Sequence, residues 1–243
     1  MEPLHLVLVE SALELVPPEI VHHEVVKKHA KRRGKKPWEI ILDKSVHYYA
    51  MLKLPNHHKR GRPDIVHLSL LNALCSPLNK LGLLRVYVHT IDNRIIFIDP
   101  SVRLPRHYYR FVGLMEQLLV EGKVPPNSDK PLMTCRRMFL HEFVDEMKFG
   151  YIYLLHEGGR YVSPRDLGKE IVERIERGEK VAVFVGAFPH GDFFEDTKRL
   201  ANEAVSIYPE PLDAWIVVSR IIEGVEHALN IYEKLRLREP SSA

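Results

Sequence analysis

Short runs of apolar residues along the chain predict buried β-strands. Residues 4–9 (LHLVLV) are rich in Leu and Val and end at Glu10-Ser11, which is typical of a strand buried on both faces in a parallel sheet. Residues 83–89 and 94–98 flank Ile91-Asp92-Asn93 and predict a β-hairpin. The same criteria predict strands at residues 40–42, 150–155 and 181–185.

Helices are predicted where apolar residues recur every three or four positions. Arg62-Pro63-Asp64 favours a helix start, since proline suits the first helical position and an acid favours the positive end of the helix dipole. The buried face of this helix is expected to contain Ile65, Leu68, Leu71, Leu74 and Cys75. The other predicted helices span residues 17–34, 46–54, 105–118, 164–177, 196–203 and 212–232.

The order of these elements predicts the fold class. From residue 150 onward strands and helices alternate, which is the pattern of an α/β fold with a mainly parallel sheet and helices on both faces. The hairpin adds a small antiparallel extension. Segment 125–131 (PPNSDKP) is a candidate linker, but it is too short to establish a domain boundary.

The predicted strand at 181–185 leads directly into the glycine-containing loop 186–191 (GAFPHG). Ligands of such sheets bind beyond the carboxyl ends of the strands, and glycines allow positive φ and close approach of the backbone to a ligand. The loop is therefore a candidate cofactor site, with a tight strand-to-helix turn as the alternative. It matches neither GxGxxG nor a P-loop, so neither a Rossmann dinucleotide site nor a phosphate cradle is predicted.

The composition indicates a globular protein and argues against a secreted, membrane or metal-binding one. A chain of 243 residues with 45% hydrophobic and 28% charged residues is long enough for one sizeable core or two small ones. Its start lacks a secretory signal and it has no long apolar run, so we expect a cytosolic protein that does not contact a membrane. Cys75 and Cys135 are isolated, and the 14 histidines lack metal-site spacings, so neither a disulfide framework nor a metal is expected.

The charge is divided unevenly along the chain. Residues 1–110 hold 18 Lys and Arg against 10 Asp and Glu, a net +8, whereas the remaining 17 and 22 give −5, so the total is +3. The N-terminal half would attract a polyanion such as a nucleic acid. Lysines that merely solvate helix surfaces are the alternative.

A cluster of arginines with aromatic neighbours occurs at residues 102–111 (VRLPRHYYRF). On a helix that begins near Pro105, the spacing of Arg103, Arg106 and Arg110 would place them on one edge, where guanidinium groups bind phosphates. The rings of residues 107–109 would suit unstacked RNA bases. A solvated arginine face over a core helix is the alternative.

Arg62 and Asp64 form a second candidate RNA-binding site. The Asp64 carboxylate would hold the Arg62 side chain in place through a charge-assisted hydrogen bond.

Several motifs in a fixed order resemble a known family. They are RGRPDIVHLSLLNALCSPLNK, GLLRVYVHT, DPSVRLPRHYYRFVGLMEQLL, VFVGAFPHG and SIYPEPLDAW, and they cover roughly residues 42–231. The chain thereby resembles the nucleolar essential protein family of small-subunit rRNA pseudouridine N1-methyltransferases, which belongs to the SPOUT, or α/β-knot, class. The resemblance implies one SPOUT domain over residues 1–243 with a C-terminal trefoil knot, S-adenosylmethionine as cofactor, small-subunit rRNA as partner, and a homodimer.

The resemblance also implies residue roles. It implies RNA-binding elements around residues 57–110, with Arg62, Arg103, Arg106 and Arg110 on the RNA, and a cofactor-binding knot around residues 150–233. The implied cofactor-binding residues are Gly186, Gly191, Val205, Ser206, Ile207, Tyr208, Pro209 and Leu212. The family's pattern is interrupted here by Glu210-Pro211, and Asp213 replaces a small residue.

The resemblance leaves the catalytic base open. Asp64 matches the acid that steadies the first RNA-binding arginine, and we favour this structural role over a catalytic one. A non-catalytic RNA-binding assembly factor, which would keep the arginines without binding the cofactor, is the alternative function. The expected location is cytoplasmic, or nucleolar if the source is eukaryotic.

The last predicted helix carries two adjoining apolar stripes. One contains Trp215, Val218, Ile222, Val225, Leu229 and Tyr232, and the other contains Val217, Ile221, Gly224, Ala228 and Ile231. This is more apolar surface than a one-sided helix needs. Burial in the core and a dimer interface are the two explanations, and the resemblance favours dimerisation.

Overall fold

Eight strands form one mixed sheet in the computed structural model, which describes residues 1–236. The strands are β1 (Leu4–Ser11), β2 (Leu84–Thr90), β3 (Arg94–Ile98), β4 (Lys123–Val124), β5 (Met133–Arg137), β6 (Tyr151–Tyr161), β7 (Val181–Gly186) and β8 (Glu203–Ser206). Their order across the sheet is β4-β5-β3-β2-β1-β7-β6-β8.

Five neighbouring strands are parallel. β1 pairs in parallel with β2 and β7, so that Leu6 lies opposite both Val86 and Val183, and β6 pairs in parallel with β7 and β8. β3, β5 and β4 extend the sheet in the antiparallel sense beyond β2. The predicted hairpin and the mainly parallel sheet are confirmed, and the carboxyl ends of the parallel strands meet at one edge.

Ten helices connect and cover these strands in the described part of the chain. They are α1 (Glu24–Arg32), α2 (Lys44–Met51), α3 (Pro63–Cys75), α4 (Pro77–Lys80), α5 (Tyr108–Glu121), α6 (Leu140–Met147), α7 (Pro164–Glu176), α8 (Glu195–Leu200), α9 (Ala214–Ala228) and α10 (Ile231–Arg236). No helix within residues 1–236 is long and apolar enough to cross a bilayer.

The sheet has a hydrophobic core on each face. Leu4, Leu6 and Leu8 point to the larger core, which contains buried side chains of α3, α5, α7 and α9. The alternating residues Val7 and Val9 point to a smaller core with residues of α6 and the segment after α8. A third cluster lies within residues 16–54 and holds α1 and α2 together. Helices therefore cover both faces, as predicted.

Several predicted element boundaries were wrong. The helix predicted at 17–34 is a 3-10 turn (Pro18–Ile20) followed by α1, which begins after the N-cap His23. The strand predicted at 40–42 is reduced to a single bridge between Ile41 and Leu15. The helix predicted at 212–232 is two helices, separated where Asn230 adopts a φ of 51°.

The predicted buried face of α3 was also wrong in part. Leu68 and Cys75 are exposed, whereas Val66, Leu70 and Ala73 are fully buried. The helix is apolar on nearly every side, so sequence periodicity could not select the face. It packs against both the sheet and α9, and these neighbours decide which residues are buried.

Segment 125–131 connects two strands of the same sheet. β4 and β5 pair on either side of it, and the Leu132 N–H donates to the Val124 carbonyl at 2.8 Å. The segment is therefore a loop between paired strands in this region of the sheet.

Helices α7 and α9 cross at a point where each helix carries a glycine. Gly168 and Gly224 lie there, and a Cβ on Gly224 would collide with the Pro164 carbonyl. A Cβ on Gly168 would likewise collide with the backbone at Gly224. Two glycines therefore set the distance between the helices that flank the C-terminal part of the sheet.

We expect Gly224→Ala to lower the free energy of unfolding by about 1 to 3 kcal/mol, because the added methyl group overpacks this contact. The matched control is Gly113→Ala in α5, where a Cβ meets no atom within 4 Å. There alanine should stabilise the protein by about 0.5 to 1 kcal/mol through its helix propensity. Urea unfolding measures both values, and an equal effect of the two substitutions would contradict this account of the helix crossing.

Candidate functional site

A cleft of about 530 Å³ opens where the first half of β6 ends and at the carboxyl ends of β7 and β8. This is the edge of a parallel sheet at which ligands bind. Three chain segments form its walls, namely residues 155–157 after the first half of β6, residues 185–193 after β7, and residues 205–217 from β8 into α9. We call this cavity the strand-end cleft.

The first wall is a bulge in β6. Leu155 and Arg160 both lie opposite Val205 of β8, so the residues between them loop out of the strand. Gly159 is required where the strand returns, because a Cβ there would lie 2.5 Å from the backbone of β8. The bulge turns His156 and Glu157 into the strand-end cleft.

The second wall is the segment 186–194, which begins at the last residue of β7 and which we call loop 186–194. Gly191 has a φ of 93°, a conformation that favours glycine, as expected for this loop. Gly186 is different, because it is the last residue of β7 and has no positive φ. Its missing Cβ leaves room for the rings of Phe188 and Phe193, which a Cβ would approach within 2.8 Å.

Asp192 links this loop to the β6 bulge. Its carboxylate accepts hydrogen bonds from the His156 Nε2 at 2.9 Å and from the Lys198 ammonium at 2.7 Å. The His156 Nδ1 accepts from the Gly158 N–H at 2.9 Å, so the ring proton lies on Nε2 and faces Asp192. The Lys198 ammonium and then the His156 ring hold the pKa of Asp192 at about 2, so this acid is ionised.

The third wall consists of β8 and the residues after it. Five of the residues implied for cofactor binding line the cleft in this wall, and Gly186 and Gly191 line it in the second wall. Seven of the eight implied residues therefore line the strand-end cleft, and Pro209 is the exception. Glu210 and Pro211, which interrupt the family's pattern, also line it, so the insertion adds to the wall and leaves the cavity open. Ser206 donates a hydrogen bond to the Tyr208 carbonyl at 2.6 Å and thereby fixes the turn after β8.

Other residues also line the strand-end cleft. Phe188, Pro189 and His190 belong to loop 186–191, which was predicted as a candidate cofactor site, and the others were not predicted. The additional lining residues are Leu155, His156, Glu157, Val185, Phe188, Pro189, His190, Asp192, Phe193, Ala214 and Val217. Gly158-Gly159 after a predicted strand was a signal for the bulge. The strand β8 was itself missed, since residues 196–203 were predicted as helix and α8 ends at Leu200.

Arg62 and Asp64 form the predicted pair at the start of α3. The Arg62 guanidinium donates to both Asp64 oxygens, at 2.8 and 2.7 Å, and both side chains are half-buried. The Asp64 hydrogen bond raises the pKa of Arg62, and the nearby carboxylate of Asp213 raises it further. The Arg62 N–H donates to the Ala12 carbonyl at 3.1 Å, and the Ala12 N–H donates to the Ala187 carbonyl at 2.8 Å, so Arg62 lies close to the strand-end cleft.

The predicted helix edge of three arginines was wrong. Helix α5 begins at Tyr108, so Arg103 and Arg106 lie in the preceding loop and only Arg110 is helical. The loop is held because the Pro105 carbonyl contacts the His67 Nε2 at 2.8 Å, which keeps the chain out of the helix there. All three arginines are exposed, and none of their side chains forms a hydrogen bond or ion pair with another described residue.

Part of the N-terminal positive charge has a structural role. The fully buried carboxylate of Glu116 accepts hydrogen bonds from Arg33, from Lys35 at 2.6 Å and from the Ile41 N–H at 3.1 Å. Two cations of the basic segment therefore attach it to α5. They are not available to a polyanion, in contrast to Arg103, Arg106 and Arg110.

The described residues contain no cluster of three or more His, Cys, Asp or Glu side chains placed to hold a metal ion. The two cysteines are free thiols. Burial raises the pKa of the Cys135 thiol to about 11, which disfavours the reactive thiolate.

Comparison with known proteins gives a consistent result. Residues 6–226 match the family model described as EMG1/NEP1 methyltransferase. The ribosomal RNA small subunit methyltransferase Nep1 of Staphylothermus marinus is 51% identical over 230 residues, which are 95% of this chain and 98% of that protein. The protein of the same name from Thermococcus sibiricus is 46% identical over 226 residues, which are 93% of this chain and 99% of that protein.

A solved structure matches the whole fold. The crystal structure of Archaeoglobus fulgidus Nep1 bound to S-adenosylhomocysteine superimposes with a TM-score of 0.82 at 39% identity, and the match covers 95% of this chain and all of that chain. It confirms the predicted SPOUT, or α/β-knot, fold class. Since the family model covers most of the chain and the relatives are similar over nearly their full lengths, the chain belongs to the EMG1/NEP1 methyltransferase family.

Proposed function

We propose that the protein transfers the methyl group of S-adenosylmethionine to N1 of a pseudouridine in small-subunit rRNA, with a role in assembly of that subunit. The observation that carries this proposal is the strand-end cleft beside Arg62, in a chain whose family includes an S-adenosylhomocysteine complex. We assign the cofactor to the part of the single domain around residues 150–233 and the RNA to elements around 57–110. With rRNA as substrate, the location that we propose is the cytoplasm.

The residues of the strand-end cleft fit the cofactor. A cavity of about 530 Å³ is within the range of about 300 to 1,000 Å³ that is usual for small-molecule sites. Backbone groups of residues 205–208 and the side chain of Leu212 would hold the adenosine, and Gly191 would give the loop its close approach. The bound cofactor supplies a methyl group on a sulfonium, so the protein's tasks are binding, orientation and electrostatics.

The arginines supply the RNA contact. Arg103, Arg106 and Arg110 are exposed and have no acidic partner in the described chain, which suits them to phosphate groups. Tyr109 is 74% exposed at the start of α5 and offers a ring on which an unpaired base can stack. We assign Arg62 to the RNA near the target nucleotide, because its backbone is connected through Ala12 to Ala187, beside the strand-end cleft.

Orientation is the main catalytic contribution in this proposal. N1 of pseudouridine carries a proton because the sugar is attached through carbon, and the nitrogen is a weak nucleophile until that proton leaves. A flipped nucleotide held by the arginines would bring N1 in line with the methyl group, and such positioning supplies about 7 to 11 kcal/mol. Both Asp64 oxygens are occupied by Arg62, so we assign Asp64 to holding the arginine and not to accepting the proton.

Methyl transfer to a short rRNA hairpin tests the function. We expect transfer from S-adenosylmethionine when the hairpin contains pseudouridine and none when uridine replaces it, because uridine has its sugar on N1. Mass spectrometry of the product measures the added methyl group. Equal methylation of both hairpins would refute the pseudouridine specificity.

A non-catalytic assembly factor is the alternative, and calorimetry separates it from the enzyme. Such a factor would bind the hairpin through the arginines without binding S-adenosylhomocysteine. The open cleft beside the Glu210-Pro211 insertion favours cofactor binding. Absence of S-adenosylhomocysteine binding, together with intact RNA binding, would favour the assembly factor.

Asp64→Asn tests the role of that acid. The amide cannot pair with Arg62 as a carboxylate does, so we expect the Kd for the hairpin to rise about two- to fivefold, the size expected for a half-exposed ion pair, with kcat at saturating RNA unchanged. Glu146→Gln is the matched control, because Glu146 forms an exposed ion pair with Arg136 at 2.7 Å. A fall in kcat at unchanged RNA affinity would instead identify Asp64 as the base.

We further propose that the protein is a homodimer, although α9 supports this less directly than its sequence suggested. Most of its apolar residues are buried within the chain against α3 and α7, which accounts for much of the two stripes. Apolar side chains still face outward in and beside this helix, namely Ile216 and Tyr232. An interface between two copies would cover them.

Light scattering during size-exclusion chromatography tests the dimer. We expect a particle of twice the chain mass of 28.2 kDa at micromolar concentration. Ile216→Lys should produce the single-chain mass, because a lysine at the interface loses its hydration. Val120→Lys, at a comparably exposed apolar position in α5, should leave the dimer intact. A wild-type particle of 28.2 kDa alone would exclude the dimer.

A further inference from the structure

A buried ion pair lies directly beneath loop 186–194. Glu10, near the end of β1, and Lys59, from the 3-10 turn His57–Lys59, form it, and only 1% and 2% of these residues are exposed. The two residues are 49 positions apart in the chain. Neither belongs to the walls of the strand-end cleft, so the roles assigned above do not account for the pair.

Lys59 contacts the loop in three ways. Its ammonium donates to the Asp192 carbonyl at 2.7 Å, and it also lies 3.9 Å from the ring centre of Phe188 and 4.1 Å from that of Phe194. A cation over an aromatic face is attracted by the ring quadrupole, and the attraction is strongest where water is excluded. Lys59 therefore joins the beginning and the end of the loop.

Glu10 completes this arrangement from the sheet. One carboxylate oxygen accepts from Lys59, and the other accepts from the Phe194 N–H at 2.9 Å. The loop is thus held by a donor to its Asp192 carbonyl and by an acceptor for its Phe194 N–H. Both of these contacts need polar partners, which apolar side chains of the same size would not provide.

The backbone of Glu10 is itself strained. Its φ is 50°, and the pairing of β1 with β2 shifts register between Leu8 and Ser11. The Glu10 N–H is held by the His89 Nδ1 at 3.2 Å. Left-handed conformations of residues other than glycine persist where the surroundings fix them, and they occur often at functional sites.

Stability alone does not explain the pair. Replacing a buried ion pair with apolar residues of similar size is often neutral or stabilising, so such pairs are weak evidence for a stabilising role. We propose that Lys59 and Glu10 are positioning residues for the methyl donor, because they fix loop 186–194 in the shape that forms one wall of the strand-end cleft. This inference rests on the assignment of that cleft to the cofactor.

A neighbouring ion pair provides a matched control. Arg60 donates to both oxygens of Glu14, at 2.7 and 2.5 Å, and Glu14 is as buried as Glu10. The remaining hydrogen bond of the Arg60 guanidinium goes to the Pro55 carbonyl. This second pair thus shares the chemistry and the location in the chain with the first, but none of its hydrogen bonds reaches loop 186–194.

The experiment compares two double variants of the full-length protein. Glu10→Gln/Lys59→Met removes the first pair without leaving a buried charge, and Glu14→Gln/Arg60→Met does the same for the second. We expect the Kd for S-adenosylhomocysteine, measured by calorimetry, to rise about tenfold or more in the first variant, as for loss of hydrogen bonds to charged groups. In the control variant it should change less than about twofold.

Hydrogen exchange gives a readout that does not need the cofactor. The Phe194 amide and its neighbours in loop 186–194 should lose protection in the first variant and keep it in the control. If the first variant does not fold, Phe194→Leu is used, because it removes one contact of Lys59 with the loop and leaves the buried ion pair intact.

Two outcomes distinguish the inference from the function on which it rests. Equal Kd values for the two double variants, with equal loop protection, would overturn the positioning role. Failure of the wild-type protein to bind S-adenosylhomocysteine would refute the cofactor site, whereas the exchange comparison would still decide whether Lys59 and Glu10 hold the loop.

Discussion

The parallel pairing of five strands is the constraint on which the rest of the molecule depends. Because β2, β1, β7, β6 and β8 run in the same direction, their carboxyl ends lie at one edge. The β6 bulge, loop 186–194 and the turn after β8 all begin there and converge on the strand-end cleft. Close contacts preserve this arrangement at Gly159, where backbone meets backbone, and at Gly168 and Gly224, where two helices do.

Buried carboxylates organise the N-terminal half around this sheet. Glu10, Glu14 and Glu116 are each almost fully buried, and each binds cations from residues 33–60. Burial raises the pKa of Glu14, and the hydrogen bonds from Arg60 oppose that effect. A count of charges therefore overstates how much positive charge an RNA would meet. The structure divides the basic residues into those that hold the fold together and those, such as Arg103 and Arg106, that face solvent without an acidic partner.

Elements whose structure depends on a few adjacent residues were predicted correctly from the sequence. β1, β7, the hairpin and the start of α3 were predicted because burial on both faces, a turn and an N-terminal proline act over a few residues. β8 was missed because four residues at a sheet edge carry little periodicity, and the β6 bulge depends on pairing with that strand. α5 starts late because a distant residue, His67, holds the Pro105 carbonyl. Family resemblance identified seven cleft residues, but it gave no indication of Lys59, whose partners are distant in sequence.

The segment from His58 to Arg62 connects the two parts of the proposed site. His58 lies against Gly191, Lys59 holds loop 186–194, and Arg62 pairs with Asp64. Acids from β1, from the chain after it and from α3 fix the side chains of Lys59, Arg60 and Arg62 in turn. Only two residues separate Lys59 from Arg62, so the chain between the loop contact and the Arg62–Asp64 pair is short. In the proposed function, Arg62 binds the RNA and loop 186–194 forms one wall of the methyl-donor site, so this short connection would limit the distance across which in-line transfer takes place.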